Sequence, residues 1–298
     1  MSGSNYSSSL SNHAAKQYTS QASFVYSKNY TAAIWDLLNP KEGEKIIDLG
    51  CGTGENTKRI KDAVGERGEV YGIDSSQDML DKAGKDSSDV KWVQCDIQKI
   101  SETLDPSLEG TFDAVFTSAV LHWCKDDPES VIRGISWLLK PGGRIAFEFG
   151  GFGNGAEVRT ALHAVLKQRN VDPEPLDPWW FPTDTQYDQM LAQHGFKTSS
   201  IGLFPRPTPL ASDLIGWLET FCRNTWFASF SKTEADELLE QVQDICRPSC
   251  YWKLDSPGQG RAKDEQAAIS AGAGERGWGK TEGWSLMYIR LRGLATKT

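Results

Sequence analysis

Residues 45–54 read KIIDLGCGTG, and within ten positions they hold a strand, a turn and the start of a helix. Lys45–Leu49 is a short apolar run of the kind that a strand buried on both faces requires. Gly50, Gly52 and Gly54 follow at alternate positions, and residues 54–64 carry a helical pattern. Glycines at such a junction let the chain turn tightly and let a ligand approach the main chain directly. In an open α/β sheet, ligands bind beyond the C-terminal ends of the strands, where this turn sits.

The same alternation continues downstream. Glu69–Ile73 is a second strand, with a helix from about Ser76 to Ala83, and Val90–Gln94 is a third. Phe112–Thr117 is a fourth strand, followed by a helix over Glu129–Leu139, the turn 140–143 (KPGG) and a fifth strand, Arg144–Phe149. Short apolar strands separated by helices predict a parallel, doubly wound α/β domain over 46–150. The second half is less regular. Residues 151–206 hold a helix (Ala156–Arg169), a proline-rich aromatic loop (Asp172–Pro182), a helix (Thr185–His194) ended by Gly195, and a strand (Phe196–Phe204). Residues 207–281 hold two amphipathic helices, about 211–228 and 232–246, and a Gly-rich stretch, 255–281, expected to be a helical lid and a mobile loop. Residues 282–298 hold a last strand, Trp284–Leu294. At the other end, 1–15 is Ser/Asn-rich and expected to be disordered. Residues 16–45 form an aromatic arm leading into a helix that stops at Asn39-Pro40.

Composition narrows the function. The 298 residues carry a net charge of −8 with no basic stripe, which disfavours a nucleic-acid substrate. There is no apolar run of membrane-spanning length and no secretory leader pattern, so a cytoplasmic monomer with no membrane partner is expected. Six cysteines in a chain of this length make no disulfide framework, and no Cys/His spacing fits a metal site.

Acids mark the strand ends. Asp48 precedes the glycine turn, Asp74 closes strand two and Asp96 closes strand three. A dinucleotide turn wants G-x-G-x-x-G, but Glu55 stands where its third glycine belongs, and the G-K-[ST] of a P-loop is missing. An acid about 20 residues beyond the turn suits a ribose hydroxyl pair. Acidic strand ends also fit a ligand carrying positive charge better than a pyrophosphate.

These segments resemble the class I S-adenosylmethionine (SAM)-dependent methyltransferases. The matching pieces, in the family's order, are IIDLGCGTG (46–54), VYGIDSSQDML (70–80), VQCDI (93–97), FDAVFTSAVLHW (112–123) and LLKPGGRIAFEF (138–149). More weakly, 16–45 and 185–294 look like the trans-aconitate methyltransferase/UbiE-like branch. The resemblance implies a seven-stranded Rossmann-like sheet with an antiparallel last strand, and SAM as cofactor. It implies that Gly50, Gly52, Gly54 and Asp48 hold the amino-acid end of SAM. Asp74 takes the ribose, Ser75 and Met79 border the adenine, and Asp96 and Ile97 take its edge and face. Ser118 lines the methyl side, and Tyr18 and Tyr26 of the arm close over the cofactor.

SAM brings its own leaving group, so the protein must position an acceptor and exclude water. His122 is the one plausible base, with packing under Trp123 as its alternative role. The missing acid/base constellation points to a thiol or carboxylate acceptor. Trp123, Trp179, Trp180, Phe181 and Trp226 are expected to line a pocket for a flat, apolar small molecule. Arg159, Arg206, Arg223 and Arg247 are the cations available to a carboxylate, and they are spread singly. By analogy with fungal enzymes of secondary metabolism that resemble this chain, the favoured acceptor is a thiol of a dithiol diketopiperazine-type product. A carboxylate of the trans-aconitate type is the alternative, and a SAM-binding regulatory protein is the non-enzymatic one.

Overall fold

Two hydrophobic layers sandwich one sheet, and the period-two pattern of the strands decides which residues enter which layer. The structure is a computed structural model and describes residues 28–85, 87, 89–253 and 281–298. The expectations for a disordered 1–15, for Tyr18 and Tyr26 in the arm and for a mobile 255–281 lie outside the described residues, apart from residue 281 at the end of that loop.

In chain order the elements are α1 (Lys28–Leu38), β1 (Lys45–Leu49), α2 (Glu55–Val64), β2 (Glu69–Asp74), α3 (Gln77–Gly84), β3 (Lys91–Gln94), α4 (Ile100–Thr103), β4 (Phe112–Ser118), α5 (Pro128–Leu138) and β5 (Leu139–Gly150). They continue with α6 (Ala156–Gln168), α7 (Asp184–Gln193), β6 (Phe196–Pro209), α8 (Leu214–Phe221), α9 (Lys232–Cys250), β7 (Tyr251–Lys253) and β8 (Glu282–Lys297). The sheet order is β3-β2-β1-β4-β5-β8-β6, with the short β7 paired to β8 off this path. The first five strands are parallel and β8 runs antiparallel to β5. This is the doubly wound α/β sheet the alternation predicts, with β7 as an addition. Its three residues are too short a run to stand apart from the helix they follow.

The chain divides into two compact units. The first contains residues to 154, 178–205 and 289–298. On one face of its sheet, Ile46, Val70, Ala114, Phe116 and Ala146 pack against Ile34 and Leu38 of α1 and Ile60 and Val64 of α2. On the other, Ile47, Ile73, Val115, Ile145 and Phe147 meet α5 and α7 through Ile132, Ile135, Tyr187 and Leu191. Adjacent strand residues thus go to opposite layers, which fixes the register of every strand.

The second unit contains 155–177 and 206–288, with α6, α8 and α9 as its helices. Here the sequence pattern overran the structure. A helix over 211–228 is expected, but α8 ends at Phe221. Beyond it, the Thr225 hydroxyl bonds the carbonyl of Phe221 at 2.9 Å, a local side-chain contact that competes with helix continuation. Conversely, β6 runs past the expected Phe204 to Pro209. Pro205, Pro207 and Pro209 fall at alternate positions, so their missing N–H groups all face one edge, which an edge strand tolerates.

Candidate active site

The glycine turn is tied down by the neighbouring strand. The amides of Gly50 and Cys51 both donate to the Ile73 carbonyl, at 2.7 and 2.9 Å, and Gly54 N donates to Cys51 O at 3.0 Å. Gly50 takes a φ of +73°, and a Cβ there would stand 2.3 Å from a Val120 methyl. Glycine is required at this position by conformation and by space together. Gly54, also left-handed, opens α2 with no side-chain cap.

Two carboxylates flank this turn. Asp48 is 2% exposed and accepts the Thr57 hydroxyl at 2.6 Å. Burial pushes its pKa up to about 7, opposed by the Thr57 bond and reinforced by the charges of Asp74 and Glu55. Asp74 lies one step beyond the Leu49–Ile73 pair, at the level of Gly50. One of its oxygens accepts Gly52 N–H and the other accepts Ser76 N–H, each at 2.9 Å. Burial raises its pKa as well. Ser75 is half-buried beside it, and Met79 is buried in the first turn of α3. On the next strand, Asp74 O accepts Cys95 N–H at 3.0 Å. Asp96 follows and caps the short turn Ile97–Lys99 by accepting Gln98 N–H. Gly50, Asp74 and Asp96 thus end three adjacent strands, a span of about 10 Å at the usual strand spacing. A buried carboxylate, Asp48, and a half-buried one, Asp74, are complementary to a ligand that carries positive charge. They would repel a pyrophosphate.

The ends of β4 and β5 build the other side. Ser118 pairs with Glu148. Ala119 then takes a left-handed conformation, φ 63°, and donates its N–H to Glu148 O at 2.7 Å. That bend turns Val120 onto Gly50 and starts the turn Leu121–Trp123. The buried ring of His122 accepts Gly150 N–H at Nδ1, 3.3 Å, so the neutral ring carries its proton on Nε2. Burial, with the Arg290 charge second, holds the imidazole well below its ordinary pKa.

An aromatic group adjoins it. Trp123 lies 5.5 Å and Phe181 5.7 Å from the His122 ring. Trp179 stacks on Phe181 and meets Trp123 edge-on. Trp180 stacks on Phe149 and packs against the core that includes Tyr187, while its backbone N–H donates to the His122 carbonyl. Trp226 belongs elsewhere. It is 0% exposed, with its ring against His163 inside the second unit, so it fills that interior instead of presenting a wall to a substrate.

The four arginines expected for a carboxylate are also engaged within the second unit. Arg159 pairs with Asp177 at 2.5 Å, Arg223 with Glu219 and Asp236, and Arg247 lies over Tyr251 and Trp284. Arg206 lies over Tyr288. What the pattern reading missed is a charged row in the first unit: Glu148 on β5 with Arg290 and Arg292 on β8. The signal was present in RIAFEF (144–149) and YIRLR (288–292), where charges interrupt otherwise apolar strands at period two. All six cysteines are unpaired and buried. Among the described residues no cluster could hold a metal ion, and no helix is long and apolar enough to cross a membrane.

Comparison with known proteins agrees with this geometry. The methyltransferase-domain family profile matches residues 47–147. An uncharacterized methyltransferase of Schizosaccharomyces pombe is 32% identical over 292 residues, covering 95% of this chain and 97% of that protein. A trans-aconitate 2-methyltransferase of Deinococcus radiodurans is 37% identical over 114 residues, 38% of this chain and 40% of that protein. A Haemonchus contortus phosphoethanolamine N-methyltransferase 2, solved with phosphomonomethylethanolamine and S-adenosylhomocysteine, shares the fold. Its TM-score is 0.55 at 17% identity, over 99% of this chain and 60% of that one.

Proposed function

The chain belongs to the SAM-dependent methyltransferases, and we propose that it methylates a heteroatom of a small molecule that reaches the site already ionised. SAM supplies an activated methyl on a sulfonium, so the chain's own residues bind, orient and exclude water. Asp48 and the glycine turn are assigned to the amino-acid end. Asp74 is assigned to the ribose, Ser75 and Met79 to the adenine border, Asp96 and Ile97 to its edge and face, and Ser118 to the methyl side.

The observation that carries the acceptor class is His122. Its Nδ1 is committed to Gly150 N–H and its other nitrogen bears the proton, so the ring holds the β4 and β5 ends together and does not accept a proton. An acceptor that needs no base is a carboxylate, or a thiol that is partly ionised at neutral pH. The relative named for trans-aconitate, a carboxylic acid, supports the first. Trp123, Trp179 and Phe181 favour the second, a flat thiol such as a dithiol diketopiperazine. Transfer of labelled methyl from saturating SAM to a panel of carboxylic acids, thiols and phenols, followed from pH 6 to 9, tests the reading. Carboxylate acceptors give a flat profile and thiols a rising one. Transfer confined to amines with a rise tied to His122 would defeat it.

His122→Ala is expected to cost less than about tenfold in kcat, with no recovery at high pH, because a positioning role is lost. A base would cost roughly 100-fold or more and recover as the acceptor ionises.

Asp48 makes binding of SAM proton-linked. In the empty protein it loses its proton near pH 7, far above the ordinary 3.8. A cationic ligand favours the carboxylate, so affinity is expected to rise as pH goes from 6 to 8, with a proton released on binding at the lower end. Calorimetry in buffers of different ionisation enthalpy measures that proton, and in Asp48→Asn the part belonging to this group disappears. The sign for stability is opposite. Between pH 4 and 7 the folded chain holds a proton that the unfolded chain has shed, so this group makes the empty protein less stable as pH rises.

A further inference from the structure

Three charged side chains form a row at the C-terminal end of the sheet that the cofactor assignment leaves unused. Glu148 pairs in register with Ser118 on one side and with Arg292 on the other, and Gly150 pairs with Arg290. Strand alternation puts all three side chains on the face of Ala146 and Leu294. The side chains of Glu148 and Arg290 are 4% exposed and that of Arg292 18%. Arg292 Nε donates to Glu148 at 2.6 Å, and its guanidinium also lies over the Phe204 ring at 4.4 Å, so it is held from two sides. Arg290 Nε stands 4.0 Å from the other Glu148 oxygen, one step closer to the strand end. It is opposite the Gly150 amide that fixes His122.

Burying this row needs a reason beyond stability, because apolar residues of similar volume commonly serve as well as buried ion pairs. Its location supplies one. From the glycine turn of β1 to β8 is three strand spacings, about 14 Å, and Arg290 faces Glu148 on β5, one spacing nearer to that turn. We propose that Arg290 anchors a carboxylate of the methyl acceptor, with Glu148 and Arg292 as positioning residues that aim its guanidinium. This rests on the reading of the strand ends as the methyl-transfer site.

The anchored carboxylate is not the one that reacts. An arginine on the reacting group would favour its charged ground state over a transition state in which that charge is being lost. The acceptor therefore carries at least two carboxylates. A free one forms the new O–CH3 bond as the methyl's bond to sulfur breaks and its electron pair returns to sulfur, leaving a methyl ester and a neutral thioether. No proton moves, in keeping with a His122 that takes none.

The test compares trans-aconitate and glutarate with the monocarboxylate butyrate, in labelled-methyl transfer and in calorimetric binding to protein holding S-adenosylhomocysteine. Wild-type protein is expected to prefer the polycarboxylates by about 100-fold or more in kcat/KM, and Arg290→Met to reduce that preference to about tenfold or less. Arg290→Lys is expected to fall between, because it keeps the charge and loses the two-pronged geometry. SAM affinity stays within about threefold in both variants. If Arg290→Met does not fold, Arg290→Gln, which keeps a polar group beside Glu148 and leaves the Glu148–Arg292 pair intact, is expected to show the same loss of preference. A preference that survives in Arg290→Met, or a wild type that uses butyrate or neutral thiols equally well, overturns the proposal alone. A wild type that binds no SAM overturns the site reading with it.

Discussion

Asp74→Ala binds SAM about 30-fold or more weakly than the wild type and stays folded. The carboxylate assigned to the ribose is a charged acceptor, and each hydrogen bond to such a group contributes about 1.5–3 kcal/mol. Losing two, with water taking part of their place, leaves a deficit of roughly 2–4 kcal/mol, which is 30-fold or more in Kd. The same carboxylate organises the turn by accepting Gly52 N–H, so the glycine cradle loosens as well. The fold pays little for the change. Burial raises the pKa of Asp74, so its ionised form is disfavoured in the empty protein, and removing it relieves that penalty while two amides lose their acceptor. Tm of the ligand-free variant is therefore expected to stay within a few degrees of wild type. Asp74→Asn keeps one acceptor oxygen and falls between. Calorimetry decides the matter: a folded Asp74→Ala with wild-type SAM affinity removes Asp74 from the site.

The glycine turn and strand-end acids assigned to the cofactor were legible in the sequence because their chemistry is local. A strand, three glycines and an acid at each of three strand ends fix backbone conformation and charge within a few residues, and KIIDLGCGTG carries most of that alone. The charged row proposed for the acceptor was not, because it is assembled across the sheet. Glu148 and Arg292 are 144 positions apart and meet only through the antiparallel pairing of β5 with β8. No periodicity along the chain reports that pairing. His122 shows the same limit from another direction. Its residue type allows a base, but its tautomer is set by the amide of Gly150, which lies 28 positions away and shares no pattern with it. The tryptophans divide by burial, which composition does not encode. Trp179 and Trp123 share an aromatic group in the first unit, while Trp226 fills the interior of the second. Helix ends went astray for a related reason: the amphipathic pattern continues past Phe221, but the Thr225 hydroxyl satisfies the backbone locally and the helix stops.

Gly50→Ala separates the two demands the turn makes on one residue. A left-handed backbone costs a non-glycine residue about 1–2 kcal/mol. The new methyl would also stand 2.3 Å from Val120 Cγ2, and forcing apart a packed contact costs about 1–3 kcal/mol. Together these predict a Tm lower by about 5–15 °C, taking 2–4 °C per kcal/mol for a unit of this size. SAM affinity falls too, because the shift is taken up by the loop that holds Val120 beside the glycine cradle. Val120→Ala in the same chain removes the two methyls at 2.3 and 2.6 Å and leaves the Cβ contact at 2.9 Å and the strained φ. The double variant Gly50→Ala/Val120→Ala is therefore expected to be more stable than the sum of the two single changes by about 1–3 kcal/mol, since residues in contact couple on that scale. It still does not reach wild type. Thermal melts of the four proteins, with and without SAM, measure both parts. Strict additivity would show that Val120 does not press on Gly50, and an unchanged melt for Gly50→Ala would show that the turn has room and freedom the structure denies it.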